Sequence, residues 1–495
     1  MVSSRISCTF LSRATERGLT LRLFCLLALG SLTACDASRV EEQSPPLALP
    51  VAIIEPSLQP SIADIPPETG PVGGEEAQPE AHERRPLSLR SWYEPRRPDP
   101  VLESIDRGAK ARRAAMDEET RSVQEVQRAR DAERHHRIQL RTSLPEDEIP
   151  HSLDTFLQIA HNPTLPQYRT GTCWAFAASS FFESESARLG GKLVQLSPMY
   201  SVYWEYLDKV GAWVDERGQS HFSEGSELGA LLRTWPRAGV MPLEQFPGVR
   251  TSSGLHDHAA LFAELESMLK MLEREGNWDR TLALELAAVI LQRHLGSVPS
   301  RFVYEGRILS PQDYLEQVLQ LELGAYRQFV STLRHPFGEL VPFEVPDNWW
   351  NDSSYCNVSM EDFVAIAERA LDSGMGVGLA LDTSEPGRDP DNDVMFVPDF
   401  DIPDEQLTQL AREYRIAHGV TTDDHGVHLV GIARVGAHTW FLAKDSGRGA
   451  FAGRFPGYFM LRDDYVALKG LALLVHRDAL PAPGASCAAF AAAPH

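Results

Sequence analysis

Gln167-Tyr-Arg-Thr-Gly-Thr-Cys173-Trp-Ala-Phe176 is the stretch whose reading decides the fold. Its cysteine follows Gly-Thr and precedes an apolar run that can continue as a helix. A thiol at a helix N-terminus faces N–H groups with no intrahelical partner and the positive end of the helix dipole. Such a position favours the thiolate, which is the nucleophilic form. Gln167 and Cys173 stand in a Gln-x5-Cys spacing. The glutamine amide is a donor able to hold a developing oxyanion beside the N–H of Cys173.

A thiolate needs a base that takes its proton and later returns one to a leaving amine. Asp424-His425-Gly-Val-His428-Leu-Val-Gly-Ile432 reads as a strand entry with two histidines. Residues three apart on a strand face opposite sides, so only one of the two points at the cysteine. Thr439-Trp-Phe-Leu-Ala-Lys-Asp445-Ser-Gly-Arg448 is the next strand, with Asp445 at its end as acceptor for an imidazole N–H. The plainer reading of Asp445 is a strand-end aspartate in a turn.

Gln-x5-Cys-Trp-Ala-Phe resembles the active-site segment of papain-like cysteine peptidases. Leu196-Ser-Pro-Met-Tyr-Ser-Val-Tyr-Trp204, Glu344-Val-Pro-Asp-Asn-Trp-Trp350 and Asp423-Asp-His-Gly-Val-His428 are similar to the bleomycin hydrolase and bacterial aminopeptidase C branch. The resemblance covers roughly residues 150–480. It implies a papain-like two-lobed α+β fold with a helical insertion. A helical lobe carries Cys173, and a twisted β lobe carries His425 and Asp445. His425 matches the family's His-Ala-Val or His-Ala-Met pattern better than His428 does. The family's Lys-Asn-Ser-Trp-Gly segment is altered here: Asp445 takes the Asn place and Gly447 that of the Trp. An aspartate still accepts from the imidazole, and it stabilises an imidazolium more strongly than an amide does. The missing Trp is expected to open that contact to water. Of the family's Gly-rich substrate wall, Gly225 is what remains. Trp174 and Asp424, which flank Cys173 and His425, are the further candidate substrate-binding residues. Glu224 or Glu227 can meet a substrate ammonium, against the plainer reading of a solvated acidic turn.

The resemblance thus implies a cysteine peptidase, an aminopeptidase or oligopeptidase, acting on a peptide substrate by a Cys-His-Asp thiolate mechanism. Gln167 is the oxyanion donor, and no cofactor or metal takes part. Two rival readings remain: a transglutaminase-like acyltransferase, and a catalytically degenerate peptide-binding lipoprotein. Relatives of this branch place their own C-terminus in the cleft, but the tail here, residues 481–495, is unlike that compact arm.

The 495 residues are too many for one ordinary core. A net charge of −22 disfavours nucleic-acid binding, which needs a basic footprint. Residues 1–34 read as a lipoprotein signal peptide: Arg13, Arg17 and Arg22 precede the apolar run Leu23–Leu32. Leu32-Thr-Ala-Cys35 resembles a lipobox, with Cys35 as the lipidated residue. That places the protein in a bacterial cell envelope, anchored to a membrane. Residues 35–96 are a Pro-rich linker, unable to bury enough apolar area to offset chain entropy. Residues 97–148 are a charged helical segment, either a solvated spacer or a cover for the cleft.

The catalytic halves are expected at 149–250 and 341–480, separated by a helical insertion over 251–340. Cys173 and His425 are farther apart than the ~130–150 residues usual for papain-type enzymes, which the insertion accounts for. Leu261, Leu265, Met268, Leu269 and Leu272 trace one helix face. Further helices are expected at Asp279–Leu295 and Ser310–Leu333, and a buried strand at Val377–Leu381. Cys356 and Cys487 are left to pair if Cys173 is catalytic; a disulfide between them is open at this point. The scattered Asp391, Asp393, Asp399 and Asp401 lack the ligand spacing of an EF-hand.

Overall fold

The computed structural model describes residues 92–95, 97–135, 142–249, 254–384, 386–480 and Cys487. The signal peptide, Cys35, nearly all of the Pro-rich linker and the tail apart from Cys487 lie outside the described residues. The chain divides into two units, Met1–Arg107 and Gly108–His495. Helix α1, Pro100–His135, begins in the first. Its described side chains are exposed apart from half-buried Gly108, as its thin apolar stripe requires.

The second unit holds a helical lobe and a sheet lobe. In the helical lobe, α2 is Cys173–Arg188 and α3 is Pro198–Asp215. Then follow α4 Ala230–Ala238, α5 Ala259–Arg274 and α6 Arg280–Leu295. Residues 174–186 of α2 are all buried, so α2 is a core helix rather than an amphipathic surface one. Several of its buried polar groups are partnered, although Ser179 Oγ and Ser184 Oγ are not. Glu183 accepts from Leu196 N–H at 2.8 Å and from Asn162 at 2.9 Å, and Ser186 donates to the Leu319 carbonyl. Gly190, at φ +94°, ends the helix in a conformation that a side chain disfavours. The insertion helices α5 and α6 share one apolar cluster with α2 and α3, so this insertion extends the helical core.

The strands, in chain order, begin with β1 Leu157–Gln158, β2 Phe302–Tyr304, β3 Arg307–Leu309, β4 Tyr326–Val330, β5 Leu340–Val341 and β6 Tyr355–Asn357. After them come β7 Val377–Leu381, β8 Arg388–Asp389, β9 Val394–Met395, β10 His425–Val435, β11 His438–Lys444, β12 Tyr458–Arg462 and β13 Gly470–His476. The main sheet runs β5-β6-β4-β13-β7-β10-β11-β12-β9-β8, with β1 paired to β10. Helix Met360–Asp372 packs on the sheet through Phe363, Ile366, Ala367, Ala370 and Leu371. The β7 strand is central and buried throughout, as Val377-Gly-Leu-Ala-Leu381 predicts.

One expected helix is corrected. Ser310–Leu333 is not continuous: a short helix, Pro311–Tyr314, passes into a π turn that ends at Gln320 with φ +54°. The chain then becomes β4, antiparallel to β13 and parallel to β6. Tyr326, Phe329 and Val330 favour strand, and pairing to two partners outweighs the local helical pattern. Cys356 and Cys487 form a disulfide with Cα atoms 6.1 Å apart.

Phe181 packs where α2 meets the sheet: its ring lies 5.0 Å from Phe182 and 5.5 Å from Tyr326 of β4, with no exposure to solvent. Phe181→Ala is expected to lower unfolding free energy by ~3–5 kcal/mol in chemical denaturation. A loss below ~1 kcal/mol would contradict this packing.

Candidate active site

Cys173 is the first residue of α2, following Thr172. It lines a cavity of about 290 Å³ together with Gln167, Trp174, Gly225, Asp424 and His425. Among the described residues it is the free cysteine. His425 opens β10, and its ring lines the same cavity as the Cys173 side chain, close enough for the sulfur to act on its charge. Its Nε2 lies 2.7 Å from Asp445 Oδ1 at the end of β11. The structure therefore brings Cys173, His425 and Asp445 into one chain of contacts, cysteine on one side of the imidazole and carboxylate on the other.

The electrostatics of that chain favour an imidazolium. Burial alone pulls the His425 ring down, but Asp445 and Cys173 outweigh it and hold it well above the ordinary histidine value. Burial likewise disfavours the Asp445 carboxylate. The His425 ring, the Gly447 N–H at 2.6 Å and Arg388 reverse this and leave it below the ordinary value. Arg388 carries no sequence signal for this role; it reaches the site because β8 lies beside β9, and it stacks over Phe459 at 4.6 Å.

The expected opening of the His425–Asp445 contact is corrected. The side chains of His425 and Asp445 are 13% and 5% exposed. Gly447 backbone lies so close that a Cβ there would sit 3.1 Å from both His425 Cε1 and Asp445 Oδ1. Main chain, rather than a Trp side chain, excludes the water.

His428 is elsewhere. It is buried beneath α2, with Nδ1 2.9 Å from Ser180 Oγ, and burial holds it well below the ordinary value. Gly426, on its side of the strand, lets β10 approach α2: a Cβ there would lie 3.5 Å from Trp174 N.

Gln167 is held at both ends. Its Nε2 donates to the Thr170 carbonyl at 2.7 Å, and its Oε1 accepts from Ser446 Oγ at 2.7 Å. One N–H of the amide is thereby spent, leaving the other for the cavity it lines. Ser446 was visible in sequence as the residue after Asp445, but its grip on Gln167 was not.

The candidate substrate-binding residues are less alike than expected. Trp174 is buried and donates to the Glu224 carbonyl at 3.2 Å. Glu224 accepts from Gly171 N–H at 2.7 Å, so it braces the loop before Cys173. The Gly225 carbonyl accepts from buried Lys209. Asp424 accepts from both Thr383 donors, at 2.9 and 3.2 Å. Glu227 is 2% exposed, so the plain reading of a solvated acidic turn fails for it. It meets Asp423 inside the cavity. Alternation in Ser226-Glu-Leu228 gave no warning of that, because a charge in a polar turn normally reads as solvated.

No family model matches the chain. Two curated proteins do: Aminopeptidase C of Lactococcus lactis subsp. cremoris and that of Lactococcus lactis subsp. lactis. Each is 21% identical over 364 residues, which cover 66% of this chain and 83% of the relative. Among solved structures, PepW from Lactobacillus rhamnosis HN001 superposes with a TM-score of 0.52 at 18% identity, covering 66% of this chain and 82% of that one. With the fold, these relatives support a papain-like cysteine peptidase of the bleomycin hydrolase branch.

Asp445→Asn replaces the anion on the ring with a neutral acceptor. The protonated ring then loses its partner charge, so the His425 pKa is expected to fall and deprotonation to begin at lower pH. NMR titration of histidine Cε1–H signals, with His425→Gln to assign the resonance, checks the direction. An unchanged midpoint would mean that Asp445 does not set the ring's charge.

Proposed function

We propose that this protein hydrolyses peptide bonds, with Cys173 as nucleophile, His425 as acid and base, Asp445 as orienter and Gln167 as oxyanion donor. The observation that carries this reading is the succession Cys173–His425–Asp445 at the mouth of α2, with His425 hydrogen-bonded to Asp445 and facing Cys173, beside Gln167 in one cavity. Likeness to the two Aminopeptidase C proteins supports the same chemistry.

In this mechanism the Cys173 thiolate attacks the substrate carbonyl carbon and the carbonyl oxygen becomes an oxyanion. The second N–H of Gln167 and the N–H of Cys173, at a helix start where no intrahelical acceptor exists, hold that charge. The His425 imidazolium gives its proton to the amine as the C–N bond breaks, leaving a thioester. Neutral His425 then takes a proton from water as water attacks the thioester. The acid is released, and the proton on His425 restores the imidazolium facing the thiolate. Asp445 keeps Nε2–H occupied throughout, so the other ring nitrogen always faces sulfur.

Attachment of the enzyme to a bacterial envelope membrane through Cys35 belongs to the same proposal. Its support is the lipobox-like Leu32-Thr-Ala-Cys35.

The test is covalent labelling of the full chain with the epoxide E-64, read by intact mass, alongside Cys173→Ala. One adduct in the parent and none in the variant is the expected result. A reduced, folded parent that takes no adduct would count against the peptidase reading. On any peptide substrate that is cleaved, Gln167→Ala is expected to lower kcat by ~10²–10³-fold.

A further inference from the structure

Besides its cysteine and histidine, the cavity is lined by four carboxyl groups: Glu227, Asp347, Asp423 and Asp424. Asp424 is satisfied by Thr383. Asp347 accepts from Ser223 Oγ at 3.0 Å and packs on Gly225, where a Cβ would collide with its Oδ2. The other two are different. Glu227 is 2% exposed, and its side chain shares a hydrogen bond with Asp423. Asp423 aside, no donor among the described residues reaches its Oε1. Among the described residues, no lysine or arginine forms an ion pair with Glu227 or Asp423. The nearby cation, Lys209, has turned its Nζ to the Ser223 and Gly225 carbonyls and to Ser223 Oγ.

Two carboxyls can share a hydrogen bond only if one of them holds a proton. Burial raises both, Asp423 to about 7. The groups facing the pair reinforce this or oppose it. Asp347 and Cys173 face Glu227, while Asp347, Asp424 and His425 face Asp423, and only His425 favours the Asp423 anion. Tyr355 of β6 and Lys209 stand behind the pair. A buried carboxyl oxygen that receives no donor from the surrounding protein, on a residue lining this cavity, is costly unless something with N–H donors and positive charge arrives.

We infer that Glu227 and Asp423 form the subsite for a substrate ammonium, which enters in exchange for the proton the two carboxyls share. This rests on the peptidase reading, since the cavity is the one beside Cys173. The ammonium brings donors for the open Glu227 oxygen and for Asp423. One proton leaves to solvent, and both carboxylates are then anionic around one cation. The α-ammonium of a substrate's first residue and the ε-ammonium of a lysine side chain share this chemistry. Binding through such an exchange strengthens as pH rises, because the proton to be displaced is held less tightly.

The test is calorimetric binding to the full chain carrying Cys173→Ala, which removes turnover. Three peptides are compared at pH 6.0 and 7.5, in buffers of different ionisation enthalpy. Ala-Ala-Ala amide carries only the α-ammonium, acetyl-Lys-Ala-Ala amide only the ε-ammonium, and acetyl-Ala-Ala-Ala amide neither. At pH 6.0 at least one cationic peptide is expected to bind at least tenfold more tightly than the uncharged one, releasing close to one proton. Its affinity is expected to rise at pH 7.5. Whichever cationic peptide shows this identifies the source. Adding Glu227→Gln should abolish the proton release and reduce the preference at least tenfold. Asp423→Asn serves the same purpose if the first variant does not fold. Equal affinity for all three peptides, no binding of any, or proton release that survives both substitutions would overturn the inference. The E-64 result at Cys173 is independent of these peptides, so failure of this subsite and failure of the peptidase reading are told apart.

Discussion

The site depends on one pair of hydrogen bonds between the lobes. Gln167 N–H donates to the Ser446 carbonyl at 2.9 Å, and Ser446 Oγ donates back to Gln167 Oε1 at 2.7 Å. Gln167 belongs to the loop that leads into α2, and Ser446 follows the last strand residue and Asp445. The two bonds therefore fix the approach of the loop carrying the nucleophile to the strand end carrying the carboxylate. Both are buried, where such bonds lose little to competition from water. With that spacing set, His425 needs only to stand between Cys173 and Asp445, and β10 delivers it from the centre of the sheet.

Around this contact the charges are arranged in opposing directions. Asp445 is kept anionic by His425, Gly447 and Arg388, and His425 is kept protonated by Asp445 and Cys173. A short distance away, burial drives Glu227 and Asp423 the other way, toward the neutral form, with Asp347 adding to it on both and Asp423 adding to it on Glu227. A single cavity thus holds a stabilised ion pair and a destabilised acid pair. Separation of titrating groups by environment is how one pocket assigns different tasks to similar side chains.

Much of the ordered core was legible in the sequence. Gln-x5-Cys before an apolar run located α2, and strand periodicity separated His425 from His428. Phe363, Ile366, Ala367, Ala370 and Leu371 recur at helical spacing, and they are the face that the helix buries against the sheet. What was not legible depended on contacts distant in sequence. Tyr326–Val330 became a strand because β13 and β6 were available to pair with it, which no local pattern records. Glu227 is polar in a polar stretch, and only the fold reveals that Asp423, from the other lobe, is its neighbour. Arg388 reaches Asp445 through a two-residue strand too short to announce itself.

The closeness of Gly447 to the imidazole has a consequence for how this sequence can change. A Cβ at 447 would press on His425 and Asp445 together. A side chain introduced there requires those groups, or the 445–448 segment, to give by a few tenths of an ångström. That segment is held by the Gly447 N–H on Asp445, so its position depends on which residue occupies 445. The tolerance of position 447 for anything but glycine is therefore set by how far the 445–448 segment can yield while still accepting that N–H.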